Sequence, residues 1–169
     1  ECKRKKVNLA VAYMCTGSTR QLVTGSTNSK TRLNEIKDVS NYGCFRHIII
    51  FKNKHFVKLD SIPQKMIVDP IEDLIEKEKP NIVMIPHGNS YNQDHRSTYT
   101  ACITALRPTP KETRHFVDTV MIYEEPYTWT TGSIFAPNVY LNTEKIEKDK
   151  VKMMELHSSQ NRPHPFARS

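Results

Sequence analysis

The chain contains no apolar run approaching the roughly 20 residues that a membrane helix requires, so no membrane span is expected, and no secretory signal is visible. None of its four cysteines, Cys2, Cys15, Cys44 and Cys102, lies within three residues of another. Without a CxxC pair there is neither a zinc ribbon nor a dithiol redox motif. Cys15 and Cys102 sit in apolar contexts and read as buried thiols, a pattern that favours a reducing compartment, and the expected location is the cytoplasm. Gly17-Ser18-Thr19 lacks both the Gly-Lys-Ser/Thr ending and the G-x-G-x-x-G spacing, which excludes a phosphate loop and a dinucleotide site. The G-x-S-x-G elbow of serine hydrolases is also missing. There is no internal repeat, no linker, and no stretch in which basic and aromatic residues alternate as in a single-strand binding groove.

What is present suits one domain over residues 1–169, long enough to bury a real core. Mean hydropathy is −0.59, on the polar side, but charged and apolar residues are well mixed, so disorder is expected only at the two ends. The net charge of +7 would suit an anionic partner. Much of it, however, lies in Lys3-Arg4-Lys5-Lys6 and in Arg162 and Arg168. The body alternates sign, as in Lys145-Ile146-Glu147-Lys148-Asp149-Lys150, which describes a solvated helix face. A nucleic-acid partner is not expected.

Strand and helix patterns alternate. Residues 7–14 form an apolar strand, followed by a Ser/Thr/Gly-rich segment over 17–29 that reads as a mobile loop. Leu33, Ile36 and Val39 carry a helix over 30–42 with Gly43 as its terminator, and 46–51 is the next strand. The stripe Ile67, Ile71, Leu74 and Ile75 predicts a helix over 67–79 stopped by Pro80. A strand over 82–85, a loop carrying 92–96, a helix to about Leu106 and strands over 117–123 and 138–142 follow. Thr143 is placed to cap a last helix ending near His157. The natural architecture is a Rossmann-like α/β fold, a mostly parallel sheet between two helical layers.

In such folds the loops at the carboxyl edge of the sheet converge on one crevice. Three of them carry polar residues: 17–32, 58–61 and 86–96. Asp94 and His95 stand side by side in the third. The imidazole offers a metal a neutral nitrogen, and the carboxylate would orient a neighbour or share its proton. The alternative is a helix cap beside a polar side chain. Arg32 suits bidentate contact with hydroxyls or carboxylates, or pairs with Glu35 one turn away. Asp60 would accept hydrogen bonds from sugar hydroxyls, or is a plain loop aspartate. His87 is a second imidazole at the site or a hydrogen-bonded edge residue. Glu124 and Glu125 with Tyr127 and Trp129 would suit a sugar pocket, or form a surface turn. The polar tail His157-Ser158-Ser159-Gln160 is expected to satisfy helix carbonyls.

Three blocks carry a resemblance to a known family. They are Thr16-Gly17 with Arg32-Leu33-Asn34-Glu35 and Gly43; Lys79-Pro80-Asn81-Ile82-Val83 running into Asn92-Gln93-Asp94-His95-Arg96; and Tyr123-Glu124-Glu125-Pro126 through Phe135-Ala136-Pro137-Asn138-Val139-Tyr140 to His157-Ser158-Ser159-Gln160. In order and spacing the chain resembles the zinc-dependent de-N-acetylases that include N-acetylglucosaminyl-phosphatidylinositol de-N-acetylase and the LmbE-like bacterial enzymes. The resemblance implies one zinc ion, Zn2+, whose activated water attacks the N-acetyl carbonyl of an amino sugar or glycoconjugate. It implies His95 as a zinc ligand, Asp94 and Asn92 as catalytic positions, and Arg32, Asp60 and Glu125 as substrate-binding ones. Asn92 stands where many members have histidine, and an asparagine donates a hydrogen bond but not a proton at neutral pH. The family's His-Pro-Asp-Asp-type motif, which supplies two further ligands and the base, is not in this chain, and His164-Pro165-Phe166 is no substitute. The chain is therefore expected to be a piece of such an enzyme, trimmed at both ends and a poor zinc binder by itself. The alternative is a catalytically incomplete carbohydrate-binding module on the same fold.

Overall fold

A computed structural model describes residues 7–16, 19–21, 25–52, 58–110, 112–125 and 135–161. Its contacts divide the chain into two units, residues 1–57 with 138–169 and residues 58–137.

In the first unit, strand β1 (Ala10–Cys15) leads through a hairpin, β2 (Thr19–Gln21) and β3 (Gly25–Thr27), into helix α1 (Ser29–Gly43) and strand β4 (Arg46–Phe51). β1 and β4 pair in parallel, from Ala10 opposite Arg46 to Cys15 opposite Phe51, as the crossover through α1 requires. The segment expected to be a mobile loop instead carries the antiparallel pair β2–β3. Asn28 caps α1 by accepting the Thr31 N–H at 2.8 Å, so the helix starts one residue earlier than its apolar spacing indicates. Its end departs from expectation more. Cys44 takes the left-handed conformation, φ 53°, and Gly43 is the last helical residue. A Cβ on Gly43 would collide with the Phe45 ring and the Met153 methyl, so close approach and not a turn demands glycine there. Ile36 and Val39 fill this unit's core.

The chain re-enters this unit near residue 138. The strand expected over 138–142 does not form. Val139, Tyr140 and Leu141 are exposed and belong to no strand among the described residues. Thr143 makes no side-chain cap; the Asn142 side chain accepts the Glu144 N–H instead. A 3-10 turn (Glu144–Ile146) and helix α4 (Glu147–Leu156) follow. α4 has no buried residue and is held to α1 by the Tyr42 hydroxyl, which donates to Asp149 at 2.8 Å.

The second unit opens with a 3-10 turn (Leu59–Ser61) and helix α2 (Gln64–Glu78). The helix begins three residues before its apolar stripe, where Gln64 reaches across to the Ser97 carbonyl, and it ends at Lys79 in the left-handed conformation before Pro80. Strand β5 (Ile82–Pro86), helix α3 (Gln93–Ala105) and strand β6 (Thr119–Tyr123) complete a second parallel crossover, with Ile82 opposite Thr119 and Pro86 opposite Tyr123. Ile67, Val68 and Ile71 of α2, Ile85 of β5, Ala101 and Cys102 of α3 and Leu59 form its core. Both main sheets are thus parallel crossovers, as the alternation of elements predicts, while Ile82, Met84, Val120 and Ile122 remain exposed on β5 and β6.

Candidate functional site

The loop between β5 and α3 is built by short-range hydrogen bonds that its sequence spells out. Gly88 passes so close to Tyr99 that a Cβ would stand 2.6 Å from the ring. Ser90, 1% exposed, accepts the Asn92 N–H at 3.0 Å. Asn92 in turn accepts the Asp94 N–H at 2.9 Å, capping α3. The Arg96 guanidinium reaches back to the carbonyls of Ser90, at 2.7 Å, and Tyr91, at 3.0 Å. Ser90, Asn92 and Arg96 thus tie the loop to the start of α3, and Gly88 packs on the Tyr99 ring of the same helix.

On that frame the Asp94 carboxylate accepts the Leu59 N–H at 2.8 Å, fastening the turn that carries Asp60. Burial pushes the Asp94 carboxyl above the usual carboxylate range, the Leu59 N–H opposes this, and the negative charge of Asp60 adds to it. His95 turns Nδ1 toward the Glu125 carboxylate just past β6, and Ser90 Oγ lies 3.5 Å from the same nitrogen. A carboxylate only accepts, so Nδ1 carries the hydrogen, and in the neutral imidazole Nε2 holds the lone pair. That is the relay by which a carboxylate orients an imidazole for a metal. Glu125 is 9% exposed and His95 37%, which leaves the imidazole within reach of solvent and its partner sheltered.

The second unit thus brings together Asp60, Asn92, Asp94, His95 and Glu125. Arg32 belongs to the first unit, where its charge lowers a Tyr13 hydroxyl that burial otherwise pushes up. Glu35 does not pair with Arg32. Its buried carboxylate accepts the Ser159 N–H at 2.7 Å, the Ser159 hydroxyl at 2.7 Å and the Ser158 hydroxyl at 3.1 Å. Ser158 and Ser159 of the polar tail therefore serve Glu35, while the His157 N–H meets the helix carbonyl of Met154 at 3.0 Å. His87 is not hydrogen-bonded through its inner nitrogen, as an edge residue would be: Nδ1 is buried with no partner among the described residues, and the ring stands edge-on to Phe135 at 5.1 Å. Trp129 and His164 lie outside the described residues.

Sequence reasoning missed Ser90, the pairing of Glu125 with His95, and the hold of Ser158 and Ser159 on Glu35. A serine two positions before an asparagine cap is a local signal that could have found the first. The other two join residues distant in sequence and leave no local trace.

Residues 1–106 match the family model described as GlcNAc-PI de-N-acetylase (PIG-L). The chain belongs to the GlcNAc-PI de-N-acetylase family. Solved structures agree with this member's fold. A triple mutant of a deacetylase from the teicoplanin biosynthetic pathway matches with a TM-score of 0.70 at 16% identity, over 94% of this chain and 73% of its own. The bog complex of a deacetylase from teicoplanin biosynthesis gives 0.67 at 15% identity, over 94% and 76%. A conserved protein from Thermus thermophilus, TT1542, gives 0.65 at 15% identity, over 94% and 69%. No protein with a curated description matches.

His95, with its second nitrogen held by Glu125, fits one ligand position of a zinc centre. Among the described residues no group of three or more histidine, cysteine or carboxylate side chains converges to complete one, and a catalytic zinc needs three protein ligands. Nor, among the described residues, is any helix long and apolar enough to cross a membrane.

Proposed function

We propose that this family member serves an N-deacetylase that cleaves an N-acetyl group from an amino sugar or glycoconjugate, releasing acetate and the free amine, in a reducing, cytoplasmic compartment. The observation that carries the reading is the Glu125–His95 relay at the carboxyl end of a parallel crossover, in a chain of this family. His95 would hold zinc through Nε2, with the remaining ligands outside the described residues. The ion would supply a Lewis acid and lower the pKa of a water molecule toward neutrality.

The roles of the chain's own groups follow from their geometry. Glu125 holds the His95 imidazole in one tautomer. Asp94, half-buried and with its carboxyl raised above the usual range, keeps one oxygen on Leu59 and presents the other as a proton acceptor. The Asn92 carboxamide oxygen is committed to the helix cap, so its NH2 is the end that can donate to an acyl oxygen. Asp60 would bind sugar hydroxyls.

Zinc content and acetate release from an N-acetylglucosaminyl conjugate, measured on the full-length gene product and its His95→Ala variant, test this. About one zinc per chain in the native protein is expected. The variant should lose the metal, and acetate release should fall by more than about 100-fold. A native protein without zinc or acetate release that still binds the saccharide would replace this reading with the carbohydrate-binding module.

A further inference from the structure

Charge is divided unevenly between the two units. Residues 1–57 and 138–169, the first unit, carry 17 lysines and arginines against 7 acidic residues, a net charge of +10. Residues 58–137, the second unit, carry 8 against 11, a net charge of −3. The positive charge of the molecule therefore belongs to the first unit alone, which makes that unit attractive to an anionic surface. The same unit displays an apolar run. Val139, Tyr140 and Leu141 are consecutive and 55%, 79% and 70% exposed, and folded proteins avoid such runs unless they have a use. They lie outside any helix or strand, between Asn138 and Asn142, with Lys145 close behind. The composition recurs at the other end of the unit, where Lys3-Arg4-Lys5-Lys6 leads into the exposed Val7 and Leu9.

Basic charge alone would suit any polyanion. The aliphatic side chains narrow the choice, because a phosphate backbone gives Val139 and Leu141 nothing to bury against. A bilayer answers both features, with anionic headgroups for lysine and arginine and an acyl boundary for apolar side chains. Tyrosine suits that boundary, having an apolar ring and a polar hydroxyl. We propose that the first unit docks on the surface of an anionic bilayer, with Val139, Tyr140 and Leu141 entering the headgroup region and the unit's basic residues meeting the lipid headgroups. The two signals act together: three side chains bury little area, and charge reaches only about 10 Å in salt, but their sum holds a peripheral protein at a membrane. Ile82 and Met84 are exposed as well, but they belong to the acidic unit, which an anionic surface repels. The proposal stands apart from the deacetylase reading.

Co-sedimentation of the full-length gene product with lipid vesicles tests it. Vesicles containing about 30% phosphatidylserine should bind at least about tenfold more tightly than phosphatidylcholine alone. That preference should disappear between about 0.1 and 0.5 M salt. The triple variant Val139→Ser, Tyr140→Ser, Leu141→Ser should bind the anionic vesicles at least about tenfold more weakly, at an unchanged melting temperature. Tyr140→Trp supplies a milder change: its added emission, measured over that of the native protein, should shift to the blue on anionic vesicles. An unshifted spectrum, or a triple variant that binds as the native protein does, would overturn the assignment. So would a triple variant that melts lower, because the run would then be packed within the full chain. Tighter binding to a single-stranded RNA than to vesicles, retained by the triple variant, would replace the bilayer with a nucleic-acid partner.

Discussion

At the scale of single residues, Glu35 is the most consequential side chain outside the loop of His95. Its carboxylate is 5% exposed and accepts three hydrogen bonds from Ser158 and Ser159. Charge-assisted bonds of this kind are the strong ones. Glu35→Gln replaces one accepting oxygen with a donor that faces other donors. The expected cost is about 2 kcal/mol, read as a lower urea midpoint at unchanged slope. Thiol chemistry separates two further residues. Cys44 is exposed, whereas burial pushes the Cys102 thiol up to about 11. Alkylation at pH 8 followed by peptide mapping should therefore label Cys44 and spare Cys102 until the protein is denatured. Because the folded value of Cys102 is the higher one, folding favours its neutral thiol. That contribution is complete below pH 9 and is lost as the pH climbs through about 11. The burial of Cys102 was legible in its apolar neighbours. The environment of Glu35 was not, since its donors lie more than 120 positions away.

At the scale of elements, a carboxylate midway along α2 ties that helix to the segment that follows α3. Glu72 on α2 takes Arg107 on one oxygen and Arg114 on the other, each at 2.6 Å, and these guanidinium groups, Arg114 first, hold its carboxyl below the usual range. Both arginines are about half exposed, so solvent screens much of the attraction and Glu72→Gln should cost about 1 kcal/mol. The sign with pH follows from the depressed folded value. The stabilisation is present above the unfolded pKa and fades as the pH falls through the folded one, so the melting temperatures of native and variant proteins should converge in acid. Periodicity exposed most of these elements: β4 falls on the expected residues, and α1, α2 and β5 differ only at their ends. The failures share a cause. The β2–β3 hairpin and the unformed strand at 138–142 depend on whether a partner strand is present, and a local apolar pattern carries no information about partners.

At the scale of the whole molecule, sequence order and family resemblance indicated the parallel α/β crossovers and put Asp94 and His95 at a strand's carboxyl end, where the structure has them. What they could not show is which partners close each network, Glu125 for His95 and Ser159 for Glu35, because those pairings arise only when distant segments fold together. The division of the chain adds a point about time. The second unit is one continuous stretch, 58–137, whereas the first is made of two pieces separated by it. A ribosome releasing about 5–20 residues per second delivers all of 58–137 before it delivers Ser158 and Ser159. Glu35 thus emerges early and waits without its three donors until the last part of the described chain is made. Synthesis stalled anywhere between the two leaves a nascent chain whose first unit cannot close, and the quality-control machinery of the cell would meet that unit open.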